Sequence, residues 1–487
     1  MSHLVGGFLI SNYYSMKILI ATVIALFCAN ILTAKEQKNI LLICIDDLRP
    51  ELGCYGVDYI HTPNIDALAA KSQVFKHHYV QAPTCGASRY ALLTGRYGSA
   101  SNDALMARAK KLKNNQLSPS MPAWFRQHGY TTSAIGKVSH YPGGLGGTDW
   151  NDPSQIEMPH AWDSSLMPSG ACKHPRGIMH GLANGEIRKK AGDMDVFQAT
   201  QGGDSIYPDG LITSCAQQQL KTLSKSEKPF FLAVGLIRPH LPFGAPAKYL
   251  ELYKDTKLPA IPHPNKPDGT STWHGSGEFM KYNNWGKDAR KDSQFADEVR
   301  RHYAACVSYA DAQVGKILAT LKQTGADKNT VILLWGDHGW HLGEHSTWGK
   351  HSLFEESLHA PLIISTPATQ SSPSSTDAVV ETIDIFPTLC DLTQLPKPDA
   401  LNGQSLAPIL TKPNTPGHLA VSYKGQAATI RSASHRLIAH KNGALELYDF
   451  TAKDNGSKNC AKQQPETADS LLTEIKNRLP QFTFKTK

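Results

Sequence analysis

The sequence predicts an α/β fold: a large mixed, mostly parallel sheet sandwiched by helices, with a smaller C-terminal antiparallel sheet plus a helix. Three observations carry that expectation. Short apolar runs, the pattern of strands buried on both faces, recur at widely separated positions. From Asn39 to about Leu392, strand signals alternate with helical ones, as in a sheet covered on both sides. Beyond Pro396 and Pro398 the pattern changes to closely spaced short strands with hairpin-turn chemistry.

The first segment is read as processing rather than fold. From Met16, the expected start, Lys17 is followed by the apolar run Ile18 to Leu32. Thr33-Ala34 then precede the polar Lys35-Glu36-Gln37-Lys38. That order of charge, apolar stretch and small residue is a secretory signal over residues 1–34, with a single N-terminal anchor as the alternative. Cys28 is not read as a lipoprotein anchor, because Phe27 stands where a small residue is wanted. No later segment is long and apolar enough to span a bilayer, so no stable membrane insertion is expected after cleavage.

The strands come next. Asn39 to Ile45, Thr131 to Ile135, Pro229 to Gly235 and Thr330 to Trp335 are apolar runs of strand length. Asn64 to Ala69, amphipathic behind Thr62-Pro63, opens as a helix should. Ser88 to Leu93 reads as a second helix, with Cys85 at or just before its first turn. Glu298 to Leu321 places Ala305, Tyr309, Val314, Ile317 and Leu321 at helical spacing and predicts a long core-facing helix. Tyr141 to about Asp209 and Tyr253 to Phe295 are punctuated by Gly, Pro and Asp, and are read as long insertions around a pocket. Thr366 to Asp377 reads as a Ser/Thr/Pro loop before a helix from Ile383 to Leu395. The tail gives strands at Ala420 to Tyr423, Ala428 to Arg431, His435 to Ala439 and Ala444 to Tyr448, then an amphipathic helix from Thr467 to Leu479. Lys441-Asn442-Gly443 supplies a turn between the last two strands. The expected division is 35–410 for the large domain and 411–487 for the small α+β one.

Composition narrows the class. With 487 residues there is length for a large core, and nine cysteines are too few for a disulfide scaffold. Cys44 lies in a strand and reads as a small buried residue; Cys172 and Cys215 fall in loop-rich sequence, and whether they pair is left open. Fifty basic against 42 acidic residues give a formal charge of +8, which suits a polyanionic substrate and equally a solvated surface. There is no repeat, zinc-type cysteine spacing or aromatic-basic motif, so nucleic acid is not an expected partner.

Chemistry concentrates at the strand ends, where open α/β sheets place it. The first run ends in Asp46-Asp47; the last is followed by Gly336-Asp337-His338-Gly339. Thr131 to Ile135 leads to Gly136-Lys137 and His140, and Pro229 to Gly235 to Arg238-Pro239-His240. Asp46, Asp47 and Asp337 crowd three carboxylates together, and a hard divalent cation is the common way to hold such a set. Oxygen-rich ligation favours calcium or magnesium over zinc; the bland alternative is that Asp46 and Asp47 cap a turn. Arg89, Lys137, His140, His240 and Lys350 add cations and proton donors suited to a phosphate or sulfate. Cys85 at a helix start would be a thiolate nucleophile or a modified side chain, and spacing alone does not choose. Trp162, His174, Arg176, Trp340 and His341 could line a sugar site, but packing or loop tethering is the first reading for most of them.

The run Pro83-Thr84-Cys85-Gly86-Ala87-Ser88-Arg89, continued through Tyr90-Ala91-Leu92-Leu93-Thr94-Gly95-Arg96, resembles the signature of the type I, formylglycine-dependent sulfatases of the alkaline-phosphatase superfamily. Asp46-Asp47-Leu48-Arg49-Pro50, Thr62-Pro63-Asn64-Ile65-Asp66, Gly136-Lys137-Val138-Ser139-His140 and Arg238-Pro239-His240-Leu241-Pro242 extend the likeness. So do Gly336-Asp337-His338-Gly339-Trp340-His341-Leu342-Gly343-Glu344-His345, Trp348-Gly349-Lys350 and Glu446-Leu447-Tyr448-Asp449-Phe450. The Lys137 to His140 spacing, His338 and the Arg-Pro-His-Leu-Pro segment resemble the iduronate-2-sulfatase branch and its bacterial members. One position departs from the family signature: Ala87 stands where it has Pro.

The resemblance implies an exported, periplasmic or secreted sulfatase, with 35–410 as its catalytic domain. It implies one calcium on Asp46, Asp47, Cys85, Asp337 and His338, and conversion of Cys85 to formylglycine by a separate maturation enzyme. The implied roles are specific. Asp337 helps deprotonate one hydroxyl of hydrated formylglycine for attack on sulfur, while calcium and Arg89 neutralise the sulfate oxygens. Lys350 and His240 bind sulfate and assist the leaving alcohol, with His240 as acid, and Lys137 steadies the hydrate. His140 takes the second hydroxyl proton, expelling sulfate. The implied substrate is a sulfated carbohydrate, among them a 2-O-sulfated uronic acid. The rivals are a phosphomonoester or phosphodiester hydrolase of the same superfamily, and a non-catalytic carbohydrate-binding relative.

Overall fold

Strand β1 (Asn39–Ile45) feeds the cores on both faces of the main sheet. Ile40, Leu42 and Cys44 point to one face and Leu41, Ile43 and Ile45 to the other, and all six are fully buried. The computed structural model describes residues 37–112, 117–141, 156–168, 170–171, 175–187, 191–453 and 456–484. The signal-like segment, Cys172 and His174 lie outside the described residues, as does the side chain of Arg176.

The main sheet is built from β1, β2 (Gln73–Tyr79), β3 (Thr131–Gly136), β4 (Ser164–Leu166), β5 (Phe230–Leu236), β6 (Thr330–Gly336), β7 (Leu362–Ser365) and β8 (Ser374–Glu381). Their spatial order is β8-β2-β7-β6-β1-β5-β3-β4. Only β7 runs antiparallel to its neighbours, β6 and β2; the other pairs are parallel. The sheet is therefore mixed and mostly parallel, and β1 sits in its middle with β5 and β6 on either side.

Helices cover both faces. On one, α3 (Pro208–Leu223) and α4 (Ser293–Gln323) pack Ile212, Leu220, Val307 and Val314 against Leu41, Ile43 and Val234. On the other, α2 (Cys85–Thr94) and α5 (Ile385–Thr393) pack Leu92, Phe386 and Leu389 against Leu42, Leu333 and Trp335. Each such buried Leu or Ile contributes roughly 1.5–3 kcal/mol of transfer free energy. The expected long helix begins five residues early, because Asp292 caps it: its side chain accepts from the Phe295 N–H at 3.0 Å. The helix α1 (Pro63–Ala69) has Pro at its first position, as anticipated. The segment read as a Ser/Thr/Pro loop needs correction: Pro367–Ser371 is a short helix and Ser374–Glu381 is edge strand β8. Its first half is polar because one face of an edge strand meets water.

The C-terminal sheet is a meander of β9 (Ala420–Lys424), β10 (Ala427–Arg431), β11 (His435–His440) and β12 (Leu445–Asp449). Helix α6 (Pro465–Arg478) buries Ala468, Leu471 and Ile475 on one face. Ala427, Ile438 and Tyr448 on the other face pack on Tyr79, Val80 and Leu358. A polar hub fastens this layer to β8: Arg478 binds Glu381 and the Tyr97 hydroxyl, the Val421 N–H donates to Glu381 Oε1 at 2.8 Å, and His418 Nε2 meets Asp384 Oδ2 at 2.7 Å. Among the described residues no helix is long and apolar enough to cross a membrane.

The hub carries a pH dependence. Burial pulls the His418 imidazole down, but the hydrogen bond and charge of Asp384, helped by Glu381, push it from an ordinary 6.5 up to about 9. Protonated His418 is thus tied to the folded state. Its contribution is complete below pH 6.5 and is lost as pH rises through about 9. Urea unfolding across that interval should show stability falling with pH in the wild type, and His418→Ala should remove that part of the slope; equal slopes would refute the assignment.

Candidate active site

Four strand ends and one helix start converge at one edge of the sheet. β1 delivers Asp46 and Asp47, β6 delivers Asp337 and His338, β3 delivers Lys137 and His140, and β5 delivers Arg238 and His240. Close backbone packing makes this possible. A side chain on Gly136, whose φ is +77°, would meet the Gly235 carbonyl oxygen at 2.2 Å, and one on Gly235 would meet the Lys137 carbonyl at 2.0 Å. Asp47 also turns sharply, with φ of 57°, a conformation Asp tolerates. Its N–H donates to Asp337 Oδ1 at 2.9 Å, and its carbonyl accepts from the Tyr303 hydroxyl at 2.8 Å. Tyr303 on α4 therefore braces the turn, a role that the helical pattern gave no means of assigning.

Cys85 is the first residue of α2 and is only 2% exposed. Its Sγ lies 3.2 Å from His338 Nε2 and 3.4 Å from Lys350 Nζ. One turn further along, the buried Arg89 guanidinium spans Asp46 Oδ1 at 3.3 Å and Asp337 Oδ2 at 3.0 Å, and donates to the carbonyls of Lys137 and Val138. Lys137 Nζ binds Asp46 Oδ2. Lys350, from the Trp348–Gly349 segment, reaches Asp47 Oδ1 at 2.8 Å, and His338 Nε2 is 3.4 Å from the same oxygen. His240 donates Nδ1–H to the Leu241 carbonyl at 2.7 Å, leaving Nε2 toward the site. His140 stands edge-on to Tyr141, and its buried Nδ1 has no hydrogen-bond partner.

Three buried carboxylates thus face three buried, fixed cations. Burial raises Asp46, but Lys137, His240 and Arg89 more than offset it and hold the carboxyl well below the usual range. Burial leaves Asp47 well above that range despite Lys350, and with the Asp46 charge it pushes Asp337 up to about 7. The imidazoles of His140, His240 and His338 are pulled well down by burial and by neighbouring lysines. Burial and the Asp46 charge also push the Cys85 thiol well above its ordinary value.

A hard cation fits this donor set. Asp46, Asp47, Cys85 and His240 form one group, and Asp46, Cys85, Asp337 and His338 another; within each, the ligand atoms lie within 4.8 Å of one another. Asp47 Oδ2 is buried without a hydrogen bond, and the raised Asp47 and Asp337 are carboxylates short of positive charge. The catalytic and metal candidates named from sequence all gather here, and His240 joins a group to which it was not assigned. The sugar-lining candidates fare differently. Trp340 and His341 are fully buried, and Trp162 packs against Phe231. Glu278, which sequence reading passed over, stands 3.6 Å from Lys350 Nζ on a loop without periodicity.

Comparison with known proteins agrees with this geometry. The sulfatase family profile matches residues 38–395, and the profile for the C-terminal part of N-sulphoglucosamine sulphohydrolase matches 343–485. Iduronate 2-sulfatase of Homo sapiens is 33% identical over 377 residues, 74% of this chain; the chain spans 65% of the human protein's length. A sulfatase of Formosa agariphila is 28% identical, covering 86% of this chain and 82% of its own. Among solved structures, the phosphonate monoester hydrolase of Agrobacterium radiobacter superposes with a TM-score of 0.70 at 21% identity, covering 92% of this chain and 96% of that one. A protein solved with its substrate D-glucosamine-2-N,6-O-disulfate superposes with 0.67 at 21% identity, covering 92% and 98%. Those two likenesses speak to the fold. The strand-end chemistry, the Cys85 helix start and the profile match together place the chain in the sulfatase family of the alkaline-phosphatase superfamily.

Proposed function

We propose that the protein is an exported sulfatase that hydrolyses sulfate esters of a sulfated carbohydrate, a 2-O-sulfated uronic acid being the first candidate. Residues 35–410 would form its catalytic domain and 411–487 its C-terminal subdomain. The observation that carries the reading is the setting of Cys85: a helix-start side chain whose sulfur faces Lys350 and His338 inside the carboxylate cluster. Family membership supports formylglycine there, made by a separate maturation enzyme, and one calcium held by Asp46, Asp47, Asp337, His338 and residue 85. When present, calcium would draw charge from the sulfate oxygens, and the hydrated aldehyde would offer two hydroxyls where Ser or Cys offers one group.

The chain's own groups divide the remaining work. Arg89, anchored by two carboxylates and two carbonyls, keeps a fixed positive charge beside residue 85 and has no freedom to turn away. Asp337, within ligand reach of Cys85, accepts the proton of the attacking hydroxyl. Lys350 and His240 flank the leaving side; His240, oriented by Leu241, faces the departing alcohol through Nε2 and serves as the acid once that nitrogen has taken up a proton. Lys137, paired with Asp46, steadies the sulfate, and His140 receives the second hydroxyl proton.

Three outcomes test this. Intact mature protein should show, in the peptide ending at Arg89, the mass change from Cys85 thiol to aldehyde, and Cys85→Ser should lose turnover while keeping its melting temperature. Full turnover from wholly unconverted protein would overturn the mechanism. Metal analysis should find one calcium per chain, and Asp46→Ala should lower both calcium content and kcat/KM, the latter by about a hundredfold or more; a chelator-treated enzyme that keeps full activity with no bound metal would contradict it. On a panel of monosulfated sugar glycosides alongside the matching phosphate esters, sulfate release should dominate, with 2-O-sulfated uronides turned over fastest. Faster release of phosphate would favour the phosphoester reading instead.

A further inference from the structure

The outermost charge in the site is Glu278. Asp46, Asp47, Asp337, Arg89 and Lys137 have fully buried side chains and Lys350 nearly so, whereas the Glu278 side chain is 27% exposed. Of these charged groups it has the most solvent-exposed side chain.

Its loop is fixed rather than draped. The Trp348 N–H donates to Ser276 Oγ at 2.8 Å, the Met280 N–H to the Ser276 carbonyl at 2.9 Å, and the Ser276 N–H to His274 Nδ1 at 3.1 Å. His274 in turn donates through Nε2 to the Lys350 carbonyl, and the fully buried Phe279 packs on Trp348. The backbone that carries Glu278 is therefore pinned to the segment that carries Lys350, so the two side chains keep their spacing.

Yet the carboxylate lacks close donors. Oε1 is 3.6 Å from Lys350 Nζ and 3.9 Å from His240 Nε2, and Lys350 makes its shorter contact with Asp47. Oε2 is 3.5 Å from His351 Nε2 and has no hydrogen-bond partner. His351 spends its Nδ1–H on the Pro83 carbonyl at 3.0 Å, so the neutral ring turns a lone pair toward Glu278. Burial, only partly offset by Glu278 itself, pulls that imidazole below its ordinary value and favours the neutral form. Glu278 is thus an acceptor short of a close donor, and a ligand hydroxyl could supply one by donating its hydrogen to the carboxylate.

We propose that Glu278, with His351 beside it, is a specificity-determining subsite that accepts a hydrogen bond from a hydroxyl of the sugar next to the scissile sulfate ester. The subsite rests on the sulfatase reading above and adds to it a preference for sulfated sugars that keep a free neighbouring hydroxyl. An aryl sulfate has no such hydroxyl and gains nothing from Glu278.

The test uses calcium-loaded, formylglycine-bearing full-length enzyme and three substrates: 4-nitrophenyl sulfate, the monosulfated glycoside turned over fastest in the panel, and its analogue deoxygenated next to the sulfate. Glu278→Gln keeps the shape and removes the charge. The ratio of kcat/KM for the glycoside over 4-nitrophenyl sulfate should fall roughly ten- to hundredfold, the value of one hydrogen bond to a charged group, and mainly through KM. Wild-type enzyme should lose a similar factor on the deoxy analogue, and Glu278→Gln should lose little more on it. An unchanged ratio, whether both substrates slow together or neither does, overturns the proposal. So does a wild type that hydrolyses 4-nitrophenyl sulfate but no sugar, or that treats the deoxy analogue as the parent. Failure on every sulfate ester would instead overturn the sulfatase reading.

Discussion

The site depends on one buried bridge. The Arg89 guanidinium, wholly enclosed, joins Asp46 at the end of β1 to Asp337 at the end of β6. An unpaired ion in that place would cost several kcal/mol, so each of the three groups needs the other two. The bridge also explains why the cysteine helix starts where it does. Arg89 is four residues, about one turn, beyond Cys85, so anchoring the guanidinium sets the sulfur over the same two strand ends. The Ser88 hydroxyl adds a hydrogen bond to the Asp337 carbonyl. Strand, helix and charge are thus held in one geometry by a single planar fork.

Around that bridge the charges are deliberately uneven. Asp46 has two cationic partners and stays ionised, while Asp47 relies on Lys350 and keeps an oxygen without a hydrogen bond. Like charges packed this closely cannot all be satisfied by the protein. That imbalance is a physical reason for a metal ion to fit here, where Asp46, Cys85, Asp337 and His338 lie within ligand reach of one another.

Much of this was readable beforehand, for identifiable reasons. Asp46-Asp47 and Asp337-His338 stood out because each follows an uninterrupted apolar run, and buried parallel strands write such runs plainly. The central strands were legible from their apolar runs and α4 from its helical periodicity. Edge strand β8 was not, since half of it faces water and its polar start reads as loop. The α4 start was misplaced because Ser293 to Asp297 is polar apart from Phe295 and Ala296, and the Asp292 cap shows only in three dimensions. Trp340, for which packing was weighed against a place in the sugar site, is core, its ring edge-on to Phe243. Glu278 left no trace in the pattern. Its position comes from a loop tied down by side chains of Ser276 and His274, and no periodicity encodes such ties.

The pairing of β1 has a kinetic side. Ile40 lies opposite Phe231 on one flank and Val331 on the other, so the central strand finds neither neighbour until most of the chain exists. Parallel pairings of such long sequence separation form late, after a large loop-closure entropy has been met. Until then the turn at Cys85 belongs to an open polypeptide. Afterwards the same side chain is 2% exposed, too deep for another macromolecule to grasp. On the formylglycine reading proposed above, an enzyme that rewrites this cysteine would have to act before the sheet closes, and a slow-forming topology would give it a working window.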